Sequence, residues 1–172
     1  AVALFPTSGQ QVAHNMLEEN SGPGVGMYDS QANTVDNNHV ENNDDSGILL
    51  DNADDNTVAQ NQVRDNGTPG GDTTDGIRVN TLSAGNLLQG NHLRDNVTHD
   101  CHDDSGGANT WIGNHGETEN VPGLCTPDGN DNNFTASAAG WDPSYPWYAS
   151  FGDAALFDWA AAYATVDVGS LL

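Results

Sequence analysis

An internal repeat of 23 residues is the feature of this sequence that most restricts its fold. Four stretches align with one another: NTVDNNHVENN (33–43), NTVAQNQVRDN (56–66), GNLLQGNHLRDN (85–96) and NTWIGNHGETEN (109–120). Self-similarity at a fixed period of this length is typical of a solenoid, whose repeats bury their apolar faces against one another. One asparagine column recurs with spacings of 23, 23, 30 and 23 residues: Asn15, Asn38, Asn61, Asn91 and Asn114. We expect about five coils, with extra residues mostly in GTPGGDT (67–73).

Apolar residues alternate in short runs within each repeat and do not follow a 3.6-residue period, which predicts strands separated by turns. Three inward columns indicate three parallel sheets. The columns are Val12, Val35, Val58, Leu88 and Trp111; Leu17, Val40, Val63 and Leu93; and Val25, Ile48, Ile77, Cys101 and Leu124. Buried asparagines stacked at the inter-strand spacing of about 4.8 Å can bond to each other, so the asparagine column predicts a ladder.

The repeats and the motifs DSGILLDN (45–52) and TDGIRVN (74–80) resemble those of right-handed parallel β-helix proteins. The resemblance is to the pectate-lyase-like superfamily, including NosD-like and secreted β-helix repeat proteins, and it covers residues 1–125. It implies an all-β, right-handed, single-stranded parallel β-helix. The motifs are specific for this fold and say little about activity.

The repeat pattern stops after Cys125. Residues 126–172 are rich in turns and aromatic side chains, and Asp153 can N-cap a helix over 153–165 with a broad apolar surface. We interpret this segment as a C-terminal loop-plus-helix cap that covers the last coil, where Trp111 would otherwise face water.

The charge of the chain argues against two classes of partner. It carries 3 cationic residues, all arginine, against 25 acidic ones, for a net charge of -22. Such a surface repels nucleic acid and anionic membranes, and no apolar run is long enough to span a bilayer. We expect an extracellular or cell-surface protein. Glycosylation sequons begin at Asn66, Asn96 and Asn133 and matter only in a secretory pathway that uses them.

The stretch HDCHDD (99–104) combines two histidines, a cysteine and three aspartates. Register directs Cys101 into the core and His102 outward. Asp100, Asp103 and Asp104 lie beside a Ser-Gly-Gly turn and could bind calcium weakly, or could cap and solvate the turn. Similar acidic turns, NNDDSG (42–47) and DNADDN (51–56), favour the second interpretation. Calcium is the one cofactor that the sequence suggests.

Cys101 and Cys125 are the only cysteines and lie 24 residues apart, one coil plus one residue. Neighbouring coils bring Cα atoms within disulfide reach, and related secreted β-helix proteins carry similar paired cysteines near the final coil. We therefore expect a disulfide. Strict register would instead oppose Cys101 to Leu124, so this pairing requires the last coil to leave register.

Two outward columns carry further candidate groups. One holds Glu18, Glu41, Arg64, Arg94 and Glu117, and the other holds Met16, His39, Gln62, His92 and His115. Arginines serve as base or substrate clamp in polysaccharide lyases of this fold, but acidic neighbours one coil away favour a ladder of exposed ion pairs. His92 and His115 could share a transition metal, yet their column offers no third ligand. We interpret them as surface histidines.

Two functions remain open. The first is a non-catalytic, secreted or cell-surface β-helix with a structural, adhesive or glycan-contacting role. The alternative is a carbohydrate-active enzyme, a polysaccharide hydrolase, lyase or epimerase, whose nearest approach to a catalytic cluster is Asp75, His102, Asp103 and Asp104. DTTDGI (72–77) resembles part of the polygalacturonase motif, but the spacing to further motif residues fails.

Val2 lies 23 residues before Val25, so the first residues fall within a core column. An uncovered β-helix end exposes core side chains and unpaired backbone groups. We expect either upstream coils of a longer solenoid or another chain over the first coil, as in a filament or end-to-end homo-oligomer. The expected partners are therefore a polysaccharide or such a chain.

Overall fold

A computed structural model describes residues 1–127, which form a parallel β-solenoid of about five coils. The first sheet contains β1 (Val2–Leu4), β4 (Val25–Tyr28), β7 (Ile48–Asp51), β10 (Ile77–Val79) and β13 (Cys101–Asp103). The second sheet contains β2 (Gln11–Ala13), β5 (Thr34–Asp36), β8 (Thr57–Ala59), β11 (Leu87–Gln89) and β14 (Thr110–Ile112). The third sheet contains β3 (Met16–Glu18), β6 (His39–Glu41), β9 (Gln62–Arg64) and β12 (His92–Arg94).

The predicted inward columns form the core. Val25 pairs with Ile48, Ile48 with Ile77, and Ile77 with Cys101, and all four side chains are fully buried. The columns of the second and third sheets keep the predicted register as well. The parallel solenoid and its repeat are thus confirmed between residues 1 and 127. The right-handed winding implied by the resemblance stays a prediction.

The prediction that Leu124 continues the inward column of Val25, Ile48, Ile77 and Cys101 is wrong. Cys101 is bridged to Glu119 and not to Leu124. The cause is a turn: the Glu119 carboxylate accepts the backbone N–H groups of Gly123 and Cys125, both at 2.9 Å. These two bonds fold the segment back before Leu124 can enter the register.

The corners of the coils explain the polar residues of the repeat. At many corners a residue with positive φ turns the chain, and the next residue is a buried asparagine, as at Asn37 (φ 54) followed by Asn38. Asparagine, aspartate and glycine tolerate this left-handed conformation better than other residues. The buried asparagine then bonds to the backbone and to the asparagine of the next coil, so the corner leaves few polar groups unpaired.

The predicted asparagine ladder is present, and two others accompany it. From Asn15 to Asn114, each side-chain N–H donates to the next Oδ1 at 2.9–3.1 Å. The second ladder joins Asn33, Asn56, Asn86 and Asn109, and the third joins Asn20, Asn43, Asn66 and Asn96. All three corners of the coil therefore carry the same device.

The ladders also correct the reading of two sequons. Asn66 is fully buried and Asn96 is 9% exposed, and both use their side-chain amides in the third ladder. A glycosyl transferase therefore cannot reach them in the folded protein. Asn133 and the predicted helix over 153–165 lie outside the described residues, as does all of the predicted cap beyond Pro127. Between residues 1 and 127, no helix is long and apolar enough to cross a membrane.

The extra residues of the fourth coil lie mostly before β10, with one after it. Ile77 follows its partner Ile48 by 29 residues and precedes its partner Cys101 by 24, where the repeat elsewhere gives 23. Most of the insertion therefore falls in the loop 67–73, before β10, as predicted. This loop leads directly into Asp75, which begins the site described next.

Candidate metal centre

Two neighbouring positions on the outer face of the first sheet bring polar side chains together at the last two coils. Arg78 of β10 pairs with His102 of β13. Just before these strands, Asp75 and His99 lie on adjacent coils, and the His99 backbone N–H donates to Asp75 Oδ1 at 3.1 Å. The inserted loop is held in place because the Asp75 N–H donates to Ser46 Oγ and its carbonyl accepts from Gly47 N–H.

Asp75, His99 and His102, called the triad below, present three donor atoms to one point. His99 Nδ1 lies 3.0 Å and His102 Nδ1 lies 3.3 Å from Asp75 Oδ1. The two Nδ1 atoms are 3.2 Å apart. A metal with bonds of about 2.0–2.1 Å holds its adjacent nitrogen and oxygen donors about 2.9–3.4 Å apart. The triad therefore has the donor spacing of a metal site.

Burial differs across the triad. The Asp75 side chain is fully buried, whereas 11% of the His102 side chain and 28% of the His99 side chain are exposed. The carboxylate is thus fixed from beneath by the solenoid, and the approach from solvent runs beside His99.

Arg78 and Asp104 surround the triad. Arg78 Nη1 donates to Asp75 Oδ2 at 2.8 Å, Nη2 to Asp104 Oδ2 at 3.1 Å, and Nε to Asn80 Oδ1 at 2.9 Å. His102 Nε2 lies 2.9 Å from the same Asp104 oxygen. Asp104 thus contacts His102 on the nitrogen that faces away from the triad.

The charges of the site perturb two pKa values. Burial by itself would raise the pKa of Asp75, but hydrogen bonds from His102, Arg78 and His99 outweigh it and hold this pKa below its usual 3.8. Burial would lower the pKa of His102, but the carboxylates of Asp75 and Asp104 outweigh it and raise this pKa above 6.5. Both shifts favour the charged forms, the Asp75 carboxylate and the His102 imidazolium.

Three of the four candidate catalytic residues come together here: Asp75, His102 and Asp104. Asp103 does not, because it pairs with Val79 and lies on the buried side of β13. Its Oδ2 accepts the Trp111 indole N–H at 2.8 Å and its Oδ1 accepts the Ser105 N–H at 2.8 Å. Asp103 is therefore a structural acceptor.

The three carboxylates of the calcium hypothesis do not converge. Asp100 is 1% exposed, and its Oδ2 accepts the backbone N–H groups of Glu117 and Thr118. Asp103 lies beneath Trp111, and Asp104 is on the outer face beside Arg78. The positions of these residues give calcium no support.

The expected disulfide is present. Cys101 and Cys125 are joined, with Cα atoms 6.2 Å apart, and both are buried. The turn around Glu119 brings Cys125 to the core side of β13. The disulfide thereby fixes the last described segment against the strand that carries His102, and it removes both sulfurs as metal ligands.

The other outward columns lie apart from the triad. Arg64 forms an ion pair with the half-buried Glu41, which also lies 3.0 Å from His39 Nε2. His92 and His115 stack with ring centroids 4.9 Å apart. Of the histidine, cysteine and acidic residues between 1 and 127, only the triad groups three potential ligand atoms closely enough for one ion.

Residues 1–133 match the protein-family model described as "Periplasmic copper-binding protein (NosD)". The chain belongs to the NosD family. No curated protein and no solved structure matches the chain. The NosD match spans every described coil and all three triad residues.

His99 and Arg78 are the members of this site that sequence reasoning missed. Asp75 precedes His99 by 24 residues, and Arg78 precedes His102 by the same 24, which is one coil at this point of the solenoid. Two equal separations of 24 residues would have revealed the cluster. An alignment with the 23-residue period instead places each residue one position away from its true partner.

Proposed function

We propose that this chain is an extracytoplasmic β-helix protein that binds a divalent transition-metal ion at Asp75, His99 and His102. Copper(II) is the ion that we expect it to prefer. The observation that carries the proposal is the convergence of two imidazole nitrogens and one carboxylate oxygen within 3.0–3.3 Å of one another. The family description, which names periplasmic copper binding, supports the same metal and compartment.

Donor chemistry favours copper over the calcium suggested by sequence. Imidazole suits copper, zinc, nickel and iron, and copper(II) stands highest in affinity among the divalent ions of this series. Calcium takes six to eight oxygen ligands, and the triad offers one carboxylate.

The contacts among the three donor atoms also fit a cation bound between them. A hydrogen bond between the two Nδ1 atoms requires one to be protonated and the other not, while Asp75 Oδ1 attracts a proton onto both. A cation bound by all three atoms removes this conflict. Asp104, beside His102 Nε2, is placed as the carboxylate partner that orients metal-binding histidines.

The remainder of the solenoid supports a rigid scaffold role. Three asparagine ladders and the disulfide fix the coils that carry the triad. A disulfide also suits an oxidising compartment outside the cytoplasm. Adhesion, glycan contact and the carbohydrate-active alternative stay predictions, to be addressed by activity screening on neutral and uronic polysaccharides.

The proposal is tested by calorimetric titration of the full chain with Cu²⁺ in competition with a weak chelator. The double variant His99→Gln, His102→Gln removes both imidazoles and should weaken binding at least about 100-fold. The matched control is His92→Gln, His115→Gln, which removes two stacked histidines elsewhere and should keep the high-affinity site. Equal loss in both variants, or unchanged binding in the first, would show that copper binds adventitiously to surface histidines.

A further inference from the structure

We infer that the metal-loaded triad takes a small oxyanion, of the carboxylate type, as an additional ligand, and that Arg78 holds its second oxygen. This inference rests on the proposed metal site. It adds the class of molecule that the site recognises from solution.

The number of protein ligands is the first argument. Among the histidine, cysteine and acidic side chains of residues 1–127, the ligand atoms grouped for one ion are Asp75 Oδ1, His99 Nδ1 and His102 Nδ1. Copper(II) prefers square-planar or tetragonal surroundings, with at least four ligands. At least one position is therefore left for a ligand from solution.

Asp104 is the neighbouring carboxylate that could compete for this position, and its contacts direct it elsewhere. Its Oδ2 lies 2.9 Å from His102 Nε2 and 3.1 Å from Arg78 Nη2. Nε2 is on the side of the imidazole ring that faces away from the triad. Asp104 therefore lies beside the other nitrogen of His102 and is not part of the group of three donor atoms.

Local charge favours an anion in spite of the acidic surface. Asp75 and Asp104 carry two negative charges, and Arg78 offsets one of them. A divalent cation with two neutral imidazoles then leaves the site with one net positive charge. Distant acidic side chains are screened over about 10 Å at moderate ionic strength, so the local charge dominates recognition.

Arg78 supplies hydrogen-bond donors that can orient the bound anion. A guanidinium has five N–H donors, and three are used by Asp75, Asp104 and Asn80 among the described residues. One N–H donor on Nη1 and one on Nη2 remain, and guanidinium N–H groups are common partners of planar oxyanions. The Arg78 side chain is 17% exposed, and it shares the Asp75 carboxylate with His99, whose side chain is 28% exposed. An anion can therefore approach this side of the site from solvent.

The test uses the full chain saturated with Cu²⁺ and titrated with acetate, or with azide as a spectroscopic probe. We expect saturable changes in the copper electron paramagnetic resonance spectrum with both anions, and a new charge-transfer band with azide. At saturating Cu²⁺, Arg78→Gln should weaken acetate binding by about tenfold or more. The matched control Arg94→Gln, which removes a cation from the third sheet, should bind acetate as the wild type does.

The outcomes separate the two proposals. Failure of wild-type protein to bind Cu²⁺ at the triad overturns the proposed function. Tight Cu²⁺ binding with spectra that saturating anions do not alter overturns the oxyanion inference alone. Equal acetate affinity in Arg78→Gln and wild type overturns the role of Arg78. A copper spectrum that gains anion sensitivity only in Asp104→Asn would show that Asp104 fills the fourth position, against the inference.

Discussion

Asp100 accepts the side-chain amide of Asn96 at 2.8 Å and ends the third asparagine ladder with a carboxylate. Every group around Asp100 is a donor: its Oδ1 faces Asn96, and its Oδ2 faces Glu117 N–H, Thr118 N–H and the Thr118 hydroxyl. An asparagine at this position would turn an NH₂ group toward one of these sets of donors. The change from amide to carboxylate therefore lets the ladder end where the regular coil ends.

Replacing Asp100 with asparagine should destabilise the fold by about 2–3 kcal/mol, because buried N–H groups lose their acceptor. Urea unfolding measured by circular dichroism checks this. Asp95→Asn is the matched control, since Asp95 is an exposed corner residue with φ 56 and asparagine tolerates that conformation. Equal unfolding midpoints for the two variants would contradict the role assigned to Asp100.

Ala32 occupies a corner that suits glycine. Its φ is 54, a conformation that strains an L residue with a Cβ atom, and its side chain is exposed. Ala32→Gly should therefore raise the free energy of unfolding by about 0.5–1 kcal/mol. Ala59→Gly, in β8, should lower it by a similar amount because glycine weakens a strand. Urea midpoints that move in the same direction in both variants would show that the corner conformation does not decide the outcome.

The fold could be predicted from sequence because its core repeats with the backbone period. Once Val35, Val58 and Leu88 are aligned, alternation along each strand assigns an inward or outward direction to the neighbouring residues. The two additional ladders were present in the same alignment. A regular spacing of asparagines does not by itself distinguish an exposed turn from a buried corner; the hydrogen bonds to the neighbouring coils make that distinction.

Only part of the candidate site could be predicted from the sequence, because the site departs from the repeat. The sequence offers Asp75, His102, Asp103 and Asp104 as candidates for a catalytic cluster. His99 is not among them, because it lies 24 residues from Asp75 in a chain whose period is 23. Asp103 is the reverse case, a residue predicted at the site that lies elsewhere. Alternation places it inward with Val79, and only a tertiary contact, the indole N–H of Trp111, makes a buried carboxylate tolerable there.

The disulfide should be quantitative in the native protein. Closing a loop of this length contributes roughly 3 kcal/mol of stability, mainly by restricting the unfolded chain. Reduction should therefore lower the urea midpoint, and the change should be absent from a Cys101→Ala, Cys125→Ala variant treated with the same reductant. Intact mass after alkylation without reductant should show no added label. Two labelled thiols in the native protein would contradict the pairing.

The pH dependence of the metal-free protein should reveal the coupling between Asp75 and His102. The pKa of Asp75 is lowered in the folded state, so its contribution to stability is present above 3.8 and is lost as pH falls through the lower folded value. The pKa of His102 is raised, so its contribution is present below 6.5 and is lost as pH rises through the higher folded value. Both contributions are present together between about pH 4 and 6.5.

Wild type should therefore exceed Asp75→Asn in stability by the largest margin in this window, and the margin should narrow on both sides. Urea midpoints at pH 3, 5 and 8 in the presence of a chelator, roughly spanning the two usual pKa values, measure the difference. Asp95→Asn corrects for the general effect of removing one carboxylate from an acidic chain, because Asp95 lies on an exposed corner away from the triad. A difference between wild type and Asp75→Asn that stays constant across the three pH values would show that Asp75 and His102 do not share a proton-linked interaction in the folded protein.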